Sequence, residues 1–210
     1  KVADATAGEF KMTPYIRIDA GYALLNDATG SGRNGTNRAT TIQNTGFAGV
    51  GFGYQLEENV RMDGTFTYRA GMEIDGKDGA SRTVSGQVNS VSAMLNLYYD
   101  FNQAHDWLGS KTFTPYVGAG AGISMLKTDS LNTTSGPTER GTEVYNLAYA
   151  AMAGMGVSIT EKLTADFGYR FINLGQFEQD GSFSTGITGA ATKFDDLMAH
   201  EFHAGLRLAF

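Results

Sequence analysis

The chain has 210 residues, 41% hydrophobic and 18% charged, with 28 glycines, 3 prolines and no cysteine. Its net charge of −6 excludes the basic face that nucleic-acid binding needs, and the absence of cysteine excludes disulfide frameworks and thiolate metal sites. No stretch reaches the ~18 consecutive apolar residues of a membrane-spanning helix; the longest candidate, Val144 to Ile159, is broken by Asn146, Gly154, Gly156 and Ser158.

What the apolar residues do show is period-two alternation in segments of the length that a tilted strand needs to cross a bilayer. Tyr15 to Leu25 is the first, with Ile16, Ile18, Ala20, Tyr22 and Leu24 on one face and Arg17, Asp19 and Gly21 on the other. Gly46 to Gln55 sets Ala48, Val50, Phe52 and Tyr54 against Gly49, Gly51 and Gly53. Val60 to Ala70 sets Met62, Phe66 and Tyr68 against Arg61, Asp63, Thr65, Thr67 and Arg69. Val88 to Phe101 sets Val91, Leu95, Leu97, Tyr99 and Phe101 against Ser92, Met94, Asn96, Tyr98 and Asp100.

The second half repeats the pattern. Thr114 to Met125 places Val117, Ala119, Ala121 and Ile123 opposite Tyr116, Gly118, Gly120 and Gly122. Val144 to Ile159 places Leu147, Tyr149, Ala151, Ala153 and Met155 opposite Asn146, Met152, Gly154 and Gly156. Leu163 to Leu174 sets Phe167, Tyr169 and Phe171 against Asp166, Gly168 and Arg170. Met198 to Phe210 sets Phe202, Ala204, Leu206, Leu208 and Phe210 against Glu201, His203, Gly205 and Arg207. The pattern predicts an all-β chain: an eight-stranded antiparallel up-and-down transmembrane β-barrel.

Long polar connections at Asn26 to Thr45, Gly71 to Gln87, Lys127 to Glu143 and Gly175 to Leu197 alternate with shorter ones, among them Asn102 to Phe113 with the single tryptophan, Trp107. Long loops on one side and short turns on the other are the asymmetry of outer-membrane barrels, which places both termini in the periplasm. The opening at Lys1, with neither methionine nor apolar leader, reads as that of an exported chain whose signal peptide has been removed. Residues 1–13 are then a periplasmic segment and 14–210 the barrel domain.

Alternation alone does not say which face is outside, because a soluble ligand-binding barrel inverts the same pattern. Two features choose. Apolar-face aromatics fall at two heights, Tyr22, Phe66, Tyr68, Tyr149, Tyr169, Phe171 and Phe202 near the loops and Tyr54, Tyr99, Phe101 and Phe210 near the turns, as at two membrane interfaces. The strand glycines lie on the polar face, where they make room inside a narrow barrel. That face carries five positive residues, Arg17, Arg61, Arg69, Arg170 and Arg207, and five negative ones, Asp19, Asp63, Asp100, Asp166 and Glu201. The inferred lumen is neutral and plugged by its own ion pairs, and the whole −6 falls on loops, turns and termini.

The stretches TPYVGAGAGIS at Thr114 to Ser124, ADFGYRFINLG in the seventh strand and HEFHAGLRLAF at the end resemble the Opa-like and alphaproteobacterial Omp25/Omp31-type outer-membrane β-barrel family of Gram-negative bacteria. The resemblance runs over nearly the full length. It implies residence in the Gram-negative outer membrane, contact with its lipid and lipopolysaccharide, and a terminal aromatic, Phe210, read as an assembly signal by the barrel-assembly machinery. Family members act as surface antigens, adhesins, haem-binding or envelope-stabilising proteins, so the shared motifs identify architecture and not activity.

Candidate chemistry outside the lumen is sparse. His200 and His203 fall on opposite faces of one strand, which excludes their chelating one metal from a regular strand. His200, beside Glu201 and near the outer rim, is the one candidate for a lipid A-modifying activity, with an interfacial polar residue as its simpler reading. GVGFG and GAGAG open no helix and are strand glycines. Asn132-Thr133-Thr134 is a weak glycosylation match, and the acids Asp27, Asp75, Asp78, Asp129, Asp180, Asp195 and Asp196 read as solvated loop charge, with weak divalent-cation binding as the alternative. The reading is a non-enzymatic surface barrel without cofactor, whose loops meet a protein partner; a lipid A-modifying enzyme and a barrel that binds haem or another small ligand are the alternatives.

Overall fold

The computed structural model describes residues 12–26, 28–31, 37–78, 82–102, 112–128, 132–133, 142–179 and 192–210. Those residues form strands and turns and no helix. The strands in chain order are β1 (Thr13–Leu25), β2 (Ala28–Ser31), β3 (Asn37–Ile42), β4 (Thr45–Glu57), β5 (Val60–Asp78), β6 (Arg82–Asp100), β7 (Phe113–Thr128), β8 (Asn132–Thr133), β9 (Glu143–Ser158), β10 (Leu163–Gln179) and β11 (Thr192–Ala209).

Eight of them make the wall. Each pairs antiparallel with its sequence neighbours, and β1 pairs with β11 to close the barrel. Following paired residues once around the wall starts at Thr13 and passes Gln55, Arg61, Tyr98, Gly118, Met152, Arg170 and Glu201. It returns to β1 at Ala23, ten residues further on. That stagger in eight strands sets a tilt of about 40° and leaves an interior just wide enough to be filled by side chains.

The eight predicted segments are these eight strands, and their alternation decides which residues face in. Leu95 is 70% exposed beside Met94 at 3%, and Leu147 is 82% exposed beside Ala148 at 2%. The apolar phase faces outward, so the charged and glycine phase lines the lumen.

The four long connections correct the sequence reading: each contains strand. β5 continues to Asp78 and β6 begins at Arg82, paired down to Asp78↔Arg82. β10 and β11 extend to Gln179 and Thr192, β8 pairs with β6, and β2 and β3 form a ribbon between β11 and β5. Two bulges hid this. At Gly71, with φ of 69°, the register shifts between Arg69 and Met72, so the inward phase moves from odd to even numbers. The Gly71 amide donates to Asn89 Oδ1 at 2.9 Å. Gly175, with φ of 81°, sits in the matching irregularity of β10 and packs against the Asn146 side chain. Beyond these bulges the pattern inverts: Met72, Val88, Leu126 and Leu174 are buried inside, while Glu73, Gln87, Lys127 and Gln176 are exposed outside. Lys127 pairs with Glu143 at 3.0 Å on that outer surface.

Residues 1–11, Trp107, Asp27, Asp129, Asp180 and Thr134 lie outside the described residues, as do the side chains of Asp75, Asp78 and Asp195.

Candidate functional site

The lumen is built in layers, because the barrel is one side chain wide at each height. The ten charged residues that the sequence placed there all face it. Lowest, toward the short turns, Arg61 Nε donates to both carboxylate oxygens of Asp100 at 2.9 and 3.0 Å. Its guanidinium carbon lies 4.3 Å from the ring centroid of Tyr98 and 4.6 Å from that of Tyr116, so two tyrosine faces clothe a cation that is 1% exposed. Arg207 Nε stands 3.4 Å from Asp166 Oδ2, with its guanidinium over the Tyr15 ring.

The next layer turns on Asp63. It accepts hydrogen bonds from Tyr15 Oη at 3.0 Å, Arg17 Nη1 at 3.0 Å, Asn96 Nδ2 at 2.8 Å and Tyr98 Oη at 3.4 Å. Arg17 spans two carboxylates, because its Nε and Nη2 also make a forked pair with Asp19 at 2.8 and 2.7 Å. Above it, Glu201 receives two arginines, Arg69 Nε on Oε1 and Arg170 Nε on Oε2, each at 2.5 Å. Both guanidinium carbons lie over one ring, that of Phe47, at 5.7 and 5.4 Å.

Glycines make this filling fit. A Cβ at Gly118 would run into the Tyr98 ring, one at Gly168 into the Tyr116 hydroxyl and His203, one at Gly21 into Phe47, and one at Gly51 into Arg17. The polar-face glycines thus seat aromatic rings as much as charges. A cavity of about 10 Å³ between Arg17, Asp19, Tyr98, Tyr116, Arg170 and His203 is room for a single water.

The uppermost layer departs from the expectation of an ion-paired lumen throughout. Toward the long loops the interior is apolar: Ala23, Leu25, Ile42, Met72, Val88, Met94, Leu126, Ala148, Ala150, Ile172, Leu174, Leu197 and Ala199 form one buried cluster with Phe47. Here the outer face is polar, with Glu73, Gln87, Lys127 and Gln176 exposed, so the apolar contact moves to the inner face. Met72 and Leu197 fell in predicted loops, which is why this plug went unread. Tyr98, Tyr116 and Asn96 fell on the polar face without a role; their inward phase was the signal. Tyr15 and Phe47 each precede a predicted inward residue by two, a signal of the same kind.

Outside, His200 Nδ1 is 2.6 Å from the Tyr169 hydroxyl, and its ring packs on Phe171. His203 points inward, its Nε2 3.4 Å from Tyr116 Oη. Among the described residues no cluster of three metal-ligating side chains occurs. Phe210 projects outward at 62% exposure, its amide bonded to the Pro14 carbonyl.

With this geometry in hand, comparison with known proteins is consistent at every level. The family model described as outer membrane protein beta-barrel domain matches residues 2–210. An outer membrane protein of Gluconacetobacter diazotrophicus is 29% identical over 224 residues, the alignment covering 94% of this chain and 57% of that protein. A Rickettsia bellii protein named as a candidate adhesin is 27% identical over 206 residues, covering 92% of this chain and 86% of its own. Among solved structures, the outer membrane protein OprG of Pseudomonas aeruginosa superposes with a TM-score of 0.61 at 15% identity, over 93% of this chain and 96% of that one.

Proposed function

Because the chain belongs to the outer membrane protein β-barrel domain family, and so to the Gram-negative outer membrane, we propose that it is a non-enzymatic surface barrel that holds extracellular loops out for contact with a protein partner, in the manner of an adhesin. The observation that carries this reading is the filled lumen. Ion pairs and tyrosines occupy the lower layers and an apolar cluster the top, so the barrel serves as a post and not as a passage. Above the lipid belt the wall continues as β2, β3 and the ends of β5, β6, β10 and β11, a paired base for the segments 32–36, 79–81, 129–131, 134–141 and 180–191. The candidate-adhesin name of the Rickettsia bellii relative supports the same assignment.

On this reading both termini are periplasmic, residues before β1 form a periplasmic segment, and the outward belt meets outer-membrane lipid and lipopolysaccharide. The C-terminal strand β11 and Phe210 serve the barrel-assembly machinery. A lipid A-modifying activity finds less support, since His200 is engaged by Tyr169 and Phe171. A haem or small-ligand function finds less support from a lumen whose described cavity has room for no more than one water.

The test is whole-cell binding to candidate host or envelope proteins by cells expressing the full barrel, against cells in which the tips 32–36 and 180–191 are replaced by short Gly-Ser turns. Loss of binding with unchanged surface level supports the proposal. Unchanged binding, or high single-channel conductance of the purified barrel in planar bilayers, overturns it.

A further inference from the structure

The luminal charges are neutral as a set but not layer by layer. Arg61 with Asp100 and Arg207 with Asp166 are neutral pairs. Arg17 with Asp19 and Asp63 carries one excess negative charge, and Arg69 with Arg170 and Glu201 one excess positive charge. The second excess is the more deeply placed. Arg69 and Glu201 are 0% exposed and Arg170 8%, directly beneath the apolar cluster.

On the Arg170 side the excess has help, since the Asp19 carboxylate borders the same small cavity. On the Arg69 side the one ion pair among the described residues is that with Glu201, a carboxylate that Arg170 shares. Phe47 offers both guanidinium groups a ring face, which softens a cation without neutralising it. An uncompensated charge in a desolvated interior is costly, and an arginine does not escape by losing its proton.

Two donors are left over at this point. Arg69 Nη2 and Ser90 Oγ are buried without a hydrogen-bond partner, and both residues are more than nine-tenths buried. Arg69 and Ser90 face each other across the β5–β6 ladder, so their side chains leave the wall side by side into the lumen. Arg69 Nη1 is already taken by Ser92 Oγ at 2.9 Å.

We propose that this corner is a binding site for one small monovalent anion of halide size, held by Arg69 Nη2 and Ser90 Oγ and countering the excess charge of the Arg69–Glu201–Arg170 group. A hydroxyl and a guanidinium N–H are donors suited to a halide, whose single charge matches the single excess. The site is structural, locked beneath the apolar plug, and is filled as the barrel folds.

The barrel is refolded in detergent in sodium gluconate, then in mixtures in which chloride or bromide replaces gluconate at constant ionic strength, and its thermal unfolding midpoint is read by the heat-modifiable gel shift. Chloride and bromide raise the wild-type midpoint by about 2–4 °C, saturably. Arg69→Leu leaves the neutral Arg170–Glu201 pair, so its midpoint no longer responds to halide and in gluconate is no lower than that of the wild type. Ser90→Ala, a small change that spares the fold if Arg69→Leu does not, shifts the saturation to higher halide. A wild-type midpoint indifferent to the anion overturns the proposal, as does a halide response that is unchanged in either variant.

Discussion

The Arg61 guanidinium carbon lies 4.3 Å from the centre of the Tyr98 ring, and the Tyr98 hydroxyl in turn bonds Asp63. One tyrosine thus shields a buried cation with its face and completes a carboxylate's hydrogen bonding with its edge. The two roles separate by substitution. Tyr98→Phe keeps the face and loses the 3.4 Å bond to Asp63 and the 3.1 Å bond from Arg17 Nη1, whereas Tyr98→Ala strips Arg61 and opens a cavity. Urea unfolding in phospholipid vesicles is expected to place the alanine variant about 3–5 kcal/mol below the wild type and the phenylalanine variant within about 1.5 kcal/mol.

Glu201 holds two arginines, so its removal is more damaging than that of either. Glu201→Gln leaves Arg69 and Arg170 facing each other without a counter-charge, a loss of about 3–5 kcal/mol or failure to refold. The triple variant Glu201→Gln, Arg69→Leu, Arg170→Leu recovers the folded band on a heat-modifiability gel. A triple variant no better than the single one would show that charge is not the cause.

How much of this was readable beforehand depended on range. Strand count and facing are local, fixed by alternation within about ten residues, and Arg69 and Glu201 were each placed inside on that basis. Their contact was not readable, because residues 132 apart meet only through the ten-residue stagger of a closed wall. The apolar plug was hidden by single-residue insertions. Gly71 and Gly175 each shift the phase, so a strict period-two reading stops at Ala70 and Leu174 although the strands run on. The inversion of pattern beyond them, apolar within and polar without, is the one expected of a wall that passes from lipid into water.

Gly118 leaves room for the Tyr98 ring, the nearest obstacle to a Cβ there. Gly118→Ala is expected to cost about 1–3 kcal/mol by overpacking, and less in a Tyr98→Leu background. A double-mutant cycle in vesicles measures the coupling, and strict additivity would mean that the glycine serves the backbone alone.

Phe210 separates assembly from stability. Its side chain is largely exposed and its fold contact is a backbone bond to Pro14, which Phe210→Ala retains. Refolding of the purified variant into vesicles is expected to match the wild type within about 1 kcal/mol, while its yield in the outer membrane of living cells falls several-fold. Equal losses in both measurements would make Phe210 an interfacial anchor instead of a signal.

The position of the membrane is itself testable with two leucines that both point outward. Leu206 lies midway along its face of β11, four residues from Phe202 and four from Phe210, so it sits near the centre of the lipid belt. Leu147 is the more exposed, at 82%, but lies two residues past Tyr149 toward the loops, close to the Lys127–Glu143 ion pair that already faces water. If exposure alone set the cost of a charge, both Leu147→Arg and Leu206→Arg would be mild. Because the surroundings of Leu206 are hydrocarbon, Leu206→Arg is expected to cost about 2–4 kcal/mol in vesicle unfolding and Leu147→Arg about 0–1 kcal/mol. The reverse order would put the bilayer a full turn of the wall higher, around the plug instead of below it.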